Sequence, residues 1–159
     1  MIIVGDIGNT ETKICLVGSN NKIIKKINIS TKRINTLALR NSFKILKIKN
    51  KIIKKCLFCS VDPKSFKKIK NFLFKIYKIK CYELKTLKLK KLINIKVNYN
   101  QIGSDRLANA IGVVNYKDNF IILDFGTATT FDVLVKNSYF GGVIAPGVKL
   151  SLNTLSDKA

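Results

Sequence analysis

The chain carries one short pattern twice, and this internal repeat limits its possible folds more than any other feature. In each copy an apolar stretch runs into Asp-x-Gly, small polar residues follow, and a second strand-like stretch returns. The copies begin at Asp6 and Asp124. A strand, a tight turn and a return strand form a β-hairpin, so we predict two related hairpins in two related halves of the molecule.

Each copy of the repeat has the residue types of a phosphate-binding loop. Glycine lets the backbone approach a ligand, and hydroxyl and amide side chains can join backbone N–H groups around phosphate oxygens. A carboxylate there repels phosphate unless a cation lies between them, so Asp6 and Asp124 are candidate cation ligands, directly or through water. Asp-Gly turns also occur in ordinary hairpins. Two copies, each after an apolar strand, favour a nucleotide site over that simpler interpretation.

The first part of the chain is predicted to follow the order βββ-α-β-α-β. Alternating apolar residues bounded by turn signals predict strands over residues 2–5, 12–17, 22–29, 52–61 and 81–84. Helices are expected over residues 31–47 and 63–78, the second beginning at a proline. Their apolar positions are expected to include Leu37, Phe43 and Leu46 in the first helix, and Phe66, Ile69, Phe72, Leu73 and Ile76 in the second.

The second part begins with a segment, residues 85–100, that fits either a short helix or an extended linker. A helix is then predicted with Ser104 as N-cap and Asp105 at its positive end. Strands are expected over residues 120–123, 131–135 and 139–144, and a last helix over residues 148–155. The apolar stripe of the first of these helices is expected to be Leu107, Ile111 and Val114.

The formal charge is +21, and all of this excess lies in residues 1–102, because residues 103–159 carry equal numbers of basic and acidic residues. A basic half raises the possibility of nucleic-acid binding. Such surfaces usually use Arg and interleaved aromatic residues, whereas 27 of the 30 cations here are Lys, scattered among Ile and Asn. The pattern therefore favours solvated faces, and nucleic-acid binding is the less favoured alternative.

The chain has no His, which excludes Ser-His-Asp and Cys-His catalysis and any His-containing metal site. Cys56 and Cys59 form a single CxxC on opposite faces of a predicted strand, and no second pair completes a zinc site. All four cysteines are interpreted as buried thiols in a reducing compartment. The first residues do not resemble a signal peptide and no apolar run reaches the ~20 residues of a membrane span, so we expect a soluble cytoplasmic protein.

Four motifs in order carry a family resemblance: DIGNT from Asp6, GSDR from Gly103, DFGTATT from Asp124, and GGVIAPG from Gly141. The paired Asp-x-Gly loops resemble the actin-like, sugar-kinase-like ATPases, and the four motifs together resemble type III pantothenate kinases. The resemblance implies an α/β fold of two ribonuclease-H-like half-domains, the second truncated. It divides the chain into residues 1–102, with the first phosphate loop, and residues 103–159.

The resemblance implies a kinase that phosphorylates pantothenate to 4'-phosphopantothenate with ATP, the first step of coenzyme A synthesis. It further implies magnesium, a monovalent cation such as potassium or ammonium, a cytoplasmic location and a homodimer. Asp124 would bind the monovalent cation, and Asp6 the magnesium, directly or through water. The implied ATP-binding residues are Asp6, Ile7, Gly8, Asn9, Thr10, Glu11, Thr12, Lys13 and Thr127. The implied pantothenate-binding residues are Tyr99, Gly103, Ser104, Asp105 and Arg106.

The residues themselves agree with the roles that the resemblance implies for Asp105 and Arg106. Phosphoryl transfer needs a group to receive the proton of the acceptor hydroxyl, and an aspartate at a helix N-terminus stays ionised for this purpose. Asp105 is therefore the candidate catalytic residue, and Arg106 can pair with the acceptor carboxylate. Helix capping plus a surface ion pair is the simpler alternative for these two residues.

The resemblance is interrupted at two positions and in length. Lys96 stands where family members usually have an aromatic residue, and Tyr99 where they have Pro. Family members also continue beyond the GGVIAPG segment, so a fragment, a truncated inactive product or a partner chain that supplies the rest are all compatible with the sequence. A non-catalytic ATP-binding relative, acting as a regulator or accessory protein, is the alternative function.

Overall fold

A computed structural model of the protein describes residues 1–48 and 53–158. The chain divides into two compact units, Met1–Leu87 and Lys88–Ala159. This division falls earlier than the domain boundary predicted after residue 102. The physical reason is that the short strand Asn94–Ile95 pairs with the sheet of the second unit. The assignment of residues 1–102 and 103–159 to two evolutionary half-domains remains a prediction.

The first unit is a five-stranded sheet with two helices, in the predicted order βββ-α-β-α-β. The sheet order is β3-β2-β1-β4-β5, with β1 antiparallel to β2 and parallel to β4. Long apolar side chains from both helices and the central strands form its core. The elements are β1 (Ile2–Ile7), β2 (Glu11–Val17), β3 (Ile23–Ser30), α1 (Thr36–Leu46), β4 (Lys55–Ser60), α2 (Pro63–Tyr77) and β5 (Cys81–Glu83).

The helices of the first unit differ from prediction at their ends and on one face. The single helix predicted over residues 31–47 is interrupted, because Thr31–Arg33 form a 3-10 turn and Asn35 caps α1 by accepting the Ala38 N–H at 2.8 Å. Leu37 was expected in the core but is exposed, because Leu39, Phe43 and Leu46 form the buried face. Ile76 of α2 is likewise exposed, whereas Ile69, Phe72 and Leu73 are buried as predicted.

The cysteines of the first unit correct one prediction and confirm another. Cys56 and Cys81 are buried in neighbouring strands with their Sγ atoms 3.4 Å apart. Cys15 and Cys59 are only partly buried, so the prediction of four buried thiols is wrong for these two. Cys56 and Cys59 do lie on opposite faces of β4, as strand alternation requires. That strand was predicted over residues 52–61, of which residue 52 lies outside the described residues.

The second unit is a four-stranded sheet in the order β6-β9-β8-β7. β7, β8 and β9 form an antiparallel meander, and the short β6 pairs with β9 in parallel. Residues 85–100 contain short 3-10 helices and β6, and the 3-10 helix Leu89–Lys91 matches the short-helix alternative for residues 88–92. The elements are β6 (Asn94–Ile95), α3 (Ser104–Val113), β7 (Asn119–Phe125), β8 (Ala128–Val135), β9 (Ser138–Pro146) and α4 (Val148–Lys158).

Helix α3 starts one residue earlier than its predicted cap implies. Gly103 is the N-cap and Ser104 is already the first helical residue, 1% exposed, so the prediction of Ser104 as N-cap is wrong. The buried face consists of Ser104, Leu107 and Ala110. Of the expected stripe, Ile111 and Val114 are only partly buried, because the helix ends at Val113 and turns a different face to β7 and β8.

In the described part of the chain, no helix has both the length and the apolar composition needed to cross a membrane.

Candidate phosphate and acceptor site

The first copy of the repeat forms the predicted hairpin turn between β1 and β2. Ile7 pairs with Thr12 across the strands, and the Gly8 N–H donates to the Glu11 carbonyl at 3.0 Å. Asn9 and Thr10 are exposed at the tip. The loop therefore presents an amide and a hydroxyl side chain on a closed backbone turn, which suits phosphate oxygens.

Thr31, which the sequence did not indicate, fixes this turn from the end of β3. Its N–H donates to the Thr10 carbonyl at 3.0 Å, and its Oγ1 donates to the Gly8 carbonyl at 2.7 Å. The hydroxyls of Thr31 and Thr12 also lie 3.0 Å apart. Three bonds from one residue hold both sides of the loop, so its backbone is positioned before any ligand binds. No local pattern could reveal a contact between residues so far apart in sequence.

The predicted ATP-binding residues of the first loop fall into two groups. Asn9, Thr10, Glu11 and Lys13 are exposed, and Asp6 is partly buried at the end of β1, with the Cys59 Sγ 3.5 Å from its Oδ1. Ile7 and Thr12 are fully buried, backbone included, so the exposed surface of the loop comes from its other residues. Asp6 and Lys13 are directly opposed in the β1–β2 register, which places a carboxylate and an ammonium group on the same face.

The second copy of the repeat forms a similar but shorter hairpin between β7 and β8. Phe125 pairs with Thr129, and the Gly126 N–H donates to the Ala128 carbonyl at 3.0 Å. Thr127 is exposed at the tip. Gly147 packs against this turn so closely that a Cβ atom there would overlap the carbonyl oxygens of Gly126 and Thr127. The APG motif therefore supports the backbone of the second loop.

Asp124 lies at the base of this second loop and contacts α3. The Asn109 Nδ2 donates to the Asp124 Oδ2 at 2.8 Å. Thr130 is opposite Asp124 in the β7–β8 register, and its Oγ1 is buried with no hydrogen-bond partner among the residues that the structure describes. A carboxylate opposite an unsatisfied hydroxyl oxygen offers the hard oxygen ligands that alkali and alkaline-earth cations prefer. These residues therefore fit a bound cation.

Asp105 lies in the first turn of α3, one helical turn before Asn109. Its Oδ1 accepts the Arg106 N–H at 2.9 Å, which is favourable because helix N-termini attract negative charge. A Cβ atom on Gly103 would overlap this same oxygen, so the glycine at position 103 leaves room for the Asp105 carboxylate. The side chains at positions 105 and 109 share one helix face, so the candidate catalytic carboxylate lies on the side of α3 that contacts Asp124.

Arg106 makes an ion pair that the sequence did not predict. Its Nε lies 2.9 and 3.0 Å from the two Asp132 carboxylate oxygens, and its Nη2 lies 2.6 Å from the Asp132 Oδ1. The Tyr139 hydroxyl donates to the same Oδ1. The bond to Asp132 raises the pKa of Arg106, and burial, followed by the bond to Asp132, raises the pKa of Tyr139. An aspartate in the middle of an otherwise apolar strand was the signal that could have revealed this network.

The remaining predicted acceptor residues lie just before α3 or at its first position. Tyr99 is partly buried in the 3-10 turn Tyr99–Gln101, which Asn98 closes by accepting the Asn100 N–H at 3.1 Å. Ser104 is buried, so its side chain faces the protein interior. The second unit thus brings together Tyr99, Gly103, Asp105, Arg106 and Asp124 around the N-terminal half of α3. The residues of the first loop belong to the first unit, and their geometry stands by itself.

Comparison with known proteins places the chain in a family. The family model for type III pantothenate kinases matches residues 2–159. A type III pantothenate kinase from Pelagibacter ubique is 72% identical over 159 residues, which is 100% of this chain and 64% of that protein. The chain spans 63% to 65% of the length of the curated relatives considered, all of which carry the same family name.

Solved structures show the same fold at low sequence identity. A Campylobacter jejuni protein, provisionally named a Baf family transcriptional activator, matches 99% of this chain and 60% of its own, with a TM-score of 0.57 and 18% identity. A Porphyromonas gingivalis protein, provisionally named an N-acetylglucosamine kinase, matches 90% of this chain and 47% of its own, with a TM-score of 0.51 and 18% identity. The predicted mixed α/β fold is confirmed, and these two structures share it. With a family model that matches nearly every residue, the chain belongs to the type III pantothenate kinase family.

Proposed function

We propose that the protein containing this chain transfers the γ-phosphoryl group of ATP to pantothenate and forms 4'-phosphopantothenate, the first step of coenzyme A synthesis. The observation that carries the proposal is the arrangement on α3, where Asp105 and Arg106 begin the helix and Asn109 binds Asp124 of the second loop. Family membership supports the same activity, because the Pelagibacter ubique relative carries that name.

The chemistry assigned to the residues balances as a simple displacement. The primary hydroxyl oxygen of pantothenate attacks the γ-phosphorus, the bond to ADP breaks, and Asp105 receives the hydroxyl proton. Asp105 lies in the first turn of α3, where the positive end of the helix dipole attracts negative charge. The first loop and Thr127 are the proposed ATP contacts, and Tyr99, Gly103, Ser104, Asp105 and Arg106 the proposed pantothenate contacts. Ile7, Thr12 and Ser104 are buried residues, so the exposed and partly buried members of each set offer the contact surface.

The proposed cation sites are Asp6 for magnesium and Asp124 for potassium or ammonium. The unsatisfied Thr130 hydroxyl opposite Asp124 supports the second site, because an oxygen ligand in that position would satisfy a bound ion. Bound cations would neutralise phosphate charge. Asp6 and Asp124, at the base of the two loops, would hold these cations next to the phosphates.

The remaining proposals are a homodimer and a cytoplasmic location. Exposed apolar side chains on β7 support an interface on the second unit, since Ile121 and Phe125 are 69% and 66% exposed. Cys56 and Cys81, whose Sγ atoms lie 3.4 Å apart without a disulfide, support a reducing compartment. Sedimentation of the intact protein tests the first proposal, and cell fractionation the second.

The decisive experiment measures ADP and 4'-phosphopantothenate together, with the protein expressed at its full coding length. We expect potassium-stimulated turnover, and a loss of about 10²–10⁴-fold in kcat for Asp105→Asn, because the amide cannot receive the proton. Asp118→Asn is the matched control, since Asp118 is exposed and its carboxylate bonds Asn115 of the neighbouring turn. ATP binding without phosphorylated product would instead support a non-catalytic relative. Full turnover by Asp105→Asn would remove Asp105 from the proton-accepting role.

A further inference from the structure

The buried network of Arg106, Asp132 and Tyr139 contains two residues, Asp132 and Tyr139, that have no role in the proposed reaction. Asp132 on β8 is 1% exposed and Tyr139 on β9 is fully buried. The Asp132 carboxylate accepts the Arg106 Nε and Nη2 and the Tyr139 hydroxyl. A buried carboxylate with this set of donors has its charge and its lone pairs satisfied, so its position is fixed.

The ion pair with Asp132 uses only one edge of the Arg106 guanidinium. A guanidinium has two edges that can pair with a carboxylate, one formed by Nε and Nη2 and one by Nη1 and Nη2. Asp132 occupies the first edge. The second edge, with one hydrogen each from Nη1 and Nη2, has no hydrogen-bond partner in residues 1–48 and 53–158. It therefore retains two parallel donors for a second carboxylate.

The exposure of the network changes along its length. Tyr139 and Asp132 are buried, whereas the Arg106 side chain is 13% exposed. Arg106 also follows Asp105 directly at the N-terminus of α3. The guanidinium is thus fixed from the interior and reaches the surface beside the candidate catalytic carboxylate.

We propose that Asp132 and Tyr139 are positioning residues that hold one edge of the Arg106 guanidinium, so that its other edge binds the carboxylate of the acceptor. The proposal rests on the proposed function for the identity of the acceptor, pantothenate. Tyr139 orients Asp132, Asp132 orients Arg106, and Arg106 selects an acidic acceptor over a neutral one. Neither Asp132 nor Tyr139 touches the substrate.

The kinetic test compares pantothenate with pantothenol, the neutral alcohol that has the same phosphorylated hydroxyl but no carboxylate. We expect Asp132→Asn and Tyr139→Phe to lower the preference for pantothenate over pantothenol in kcat/KM by about fivefold or more, with the larger loss for Asp132→Asn. The KM for pantothenate should rise while kcat and the KM for ATP change by less than about threefold. Asp118→Asn and Tyr116→Phe are the matched controls, since both residues are exposed and bond only other parts of the second unit.

A purely structural role gives a different result. In that case both variants lower kcat/KM for pantothenate and pantothenol by the same factor, and the proposal is wrong. Tyr139→Phe removes only one hydroxyl, so it keeps the test valid if Asp132→Asn fails to fold. Thermal unfolding of each variant identifies such a failure.

A second measurement separates this proposal from the proposed function. Phenylglyoxal modifies arginine, and peptide mass spectrometry distinguishes Arg106 from Arg33 and Arg40, the other two arginines of the chain. We expect pantothenate, but not pantothenol, to protect Arg106 in the wild type, and protection to be lost in Asp132→Asn. Protection without any phosphorylated product rejects the proposed function and keeps the positioning role. Absence of protection in the wild type, or its retention in Asp132→Asn, rejects the positioning role.

Discussion

Thr31 shows how a single residue can determine the shape of a ligand loop from outside it. Its hydroxyl and N–H bond the carbonyl groups of Gly8 and Thr10, and its hydroxyl also meets that of Thr12. Those carbonyls belong to the turn and would otherwise need water or a ligand. The loop of the first unit is therefore preorganised by a residue that contributes no ligand contact.

We predict that Thr31→Val destabilises the protein by about 1–3 kcal/mol, because it leaves the buried Thr12 hydroxyl without this partner and removes a bond to the loop. The valine keeps the volume and shape of threonine, so packing changes little. Urea unfolding measures the loss, and ATP titration of the same variant should show weaker binding. Thr36→Val is the control at an exposed position of α1. Equal stability of the two variants would contradict this role of Thr31 in holding the loop.

Elements whose signals are local were predictable from the sequence, and those that depend on distant partners were not. The two Asp-x-Gly turns, the order of helices and strands along the first unit, and the start of α2 at Pro63 were all predicted correctly. Turn chemistry and strand alternation act within a few residues, so they can be read directly. Residues 85–100 were ambiguous because their short turns and β6 depend on pairing with β9.

The residues of the candidate site show the same contrast between local signals and distant partners. Asp105, Arg106 and the two loops stand in recognisable motifs, whereas Asn109, Asp132 and Tyr139 matter only through partners on other elements. Ser104 was predicted as a helix cap on residue type alone. The helix instead starts one residue earlier, because Gly103 adopts the extended cap conformation and Ser104 is buried.

The N-termini of α1 and α2 offer a prediction with an internal control, because Asn35 caps the first helix and Asp62 the second. The Ser65 hydroxyl donates to the Asp62 carboxylate at 2.7 Å, and this bond, the largest cause, lowers the pKa of Asp62. A lowered pKa in the folded state means that Asp62 stabilises the protein above its unfolded pKa of about 3.9. That stabilisation is lost as the pH falls through the lower folded value.

We therefore predict that Asp62→Ala and Asn35→Ala each cost about 0.5–2 kcal/mol at pH 7, since each removes a cap. The cost of Asp62→Ala should shrink as the pH falls below about 3.9, the unfolded pKa, because the wild-type carboxylate becomes protonated there. The cost of Asn35→Ala should not change, because an amide does not titrate. Urea unfolding at a series of pH values measures both. Parallel pH profiles for the two variants would contradict the role of the Asp62 charge.

At the scale of the whole molecule, the two units differ in how completely they bury their apolar residues. The core of the first unit is closed by α1 and α2, with Ile3, Phe58 and Leu73 fully buried. In the second unit, alternate residues of β7 stay exposed: Ile121 at 69%, Leu123 at 48% and Phe125 at 66%. β7 is also an edge strand of its sheet. Exposed apolar edge strands promote association, so this face needs a cover.

We predict that Ile121→Lys reduces self-association and the binding of an apolar dye in the 159-residue chain, because a charge on an edge strand opposes pairing. Ile23→Lys is the matched control, since Ile23 is 62% exposed on β3, the edge strand of the first sheet. The relatives are longer than this chain, which spans 63% to 65% of their length. If residues outside the matched segment cover β7, the same Ile121→Lys change should destabilise the protein at its full coding length, whereas Ile23→Lys should have little effect in either form. Sedimentation velocity and dye fluorescence measure association, and urea unfolding measures stability. An equal effect of the two substitutions in the chain would show that β7 is not the associating face, because the added charge alone would then explain the result.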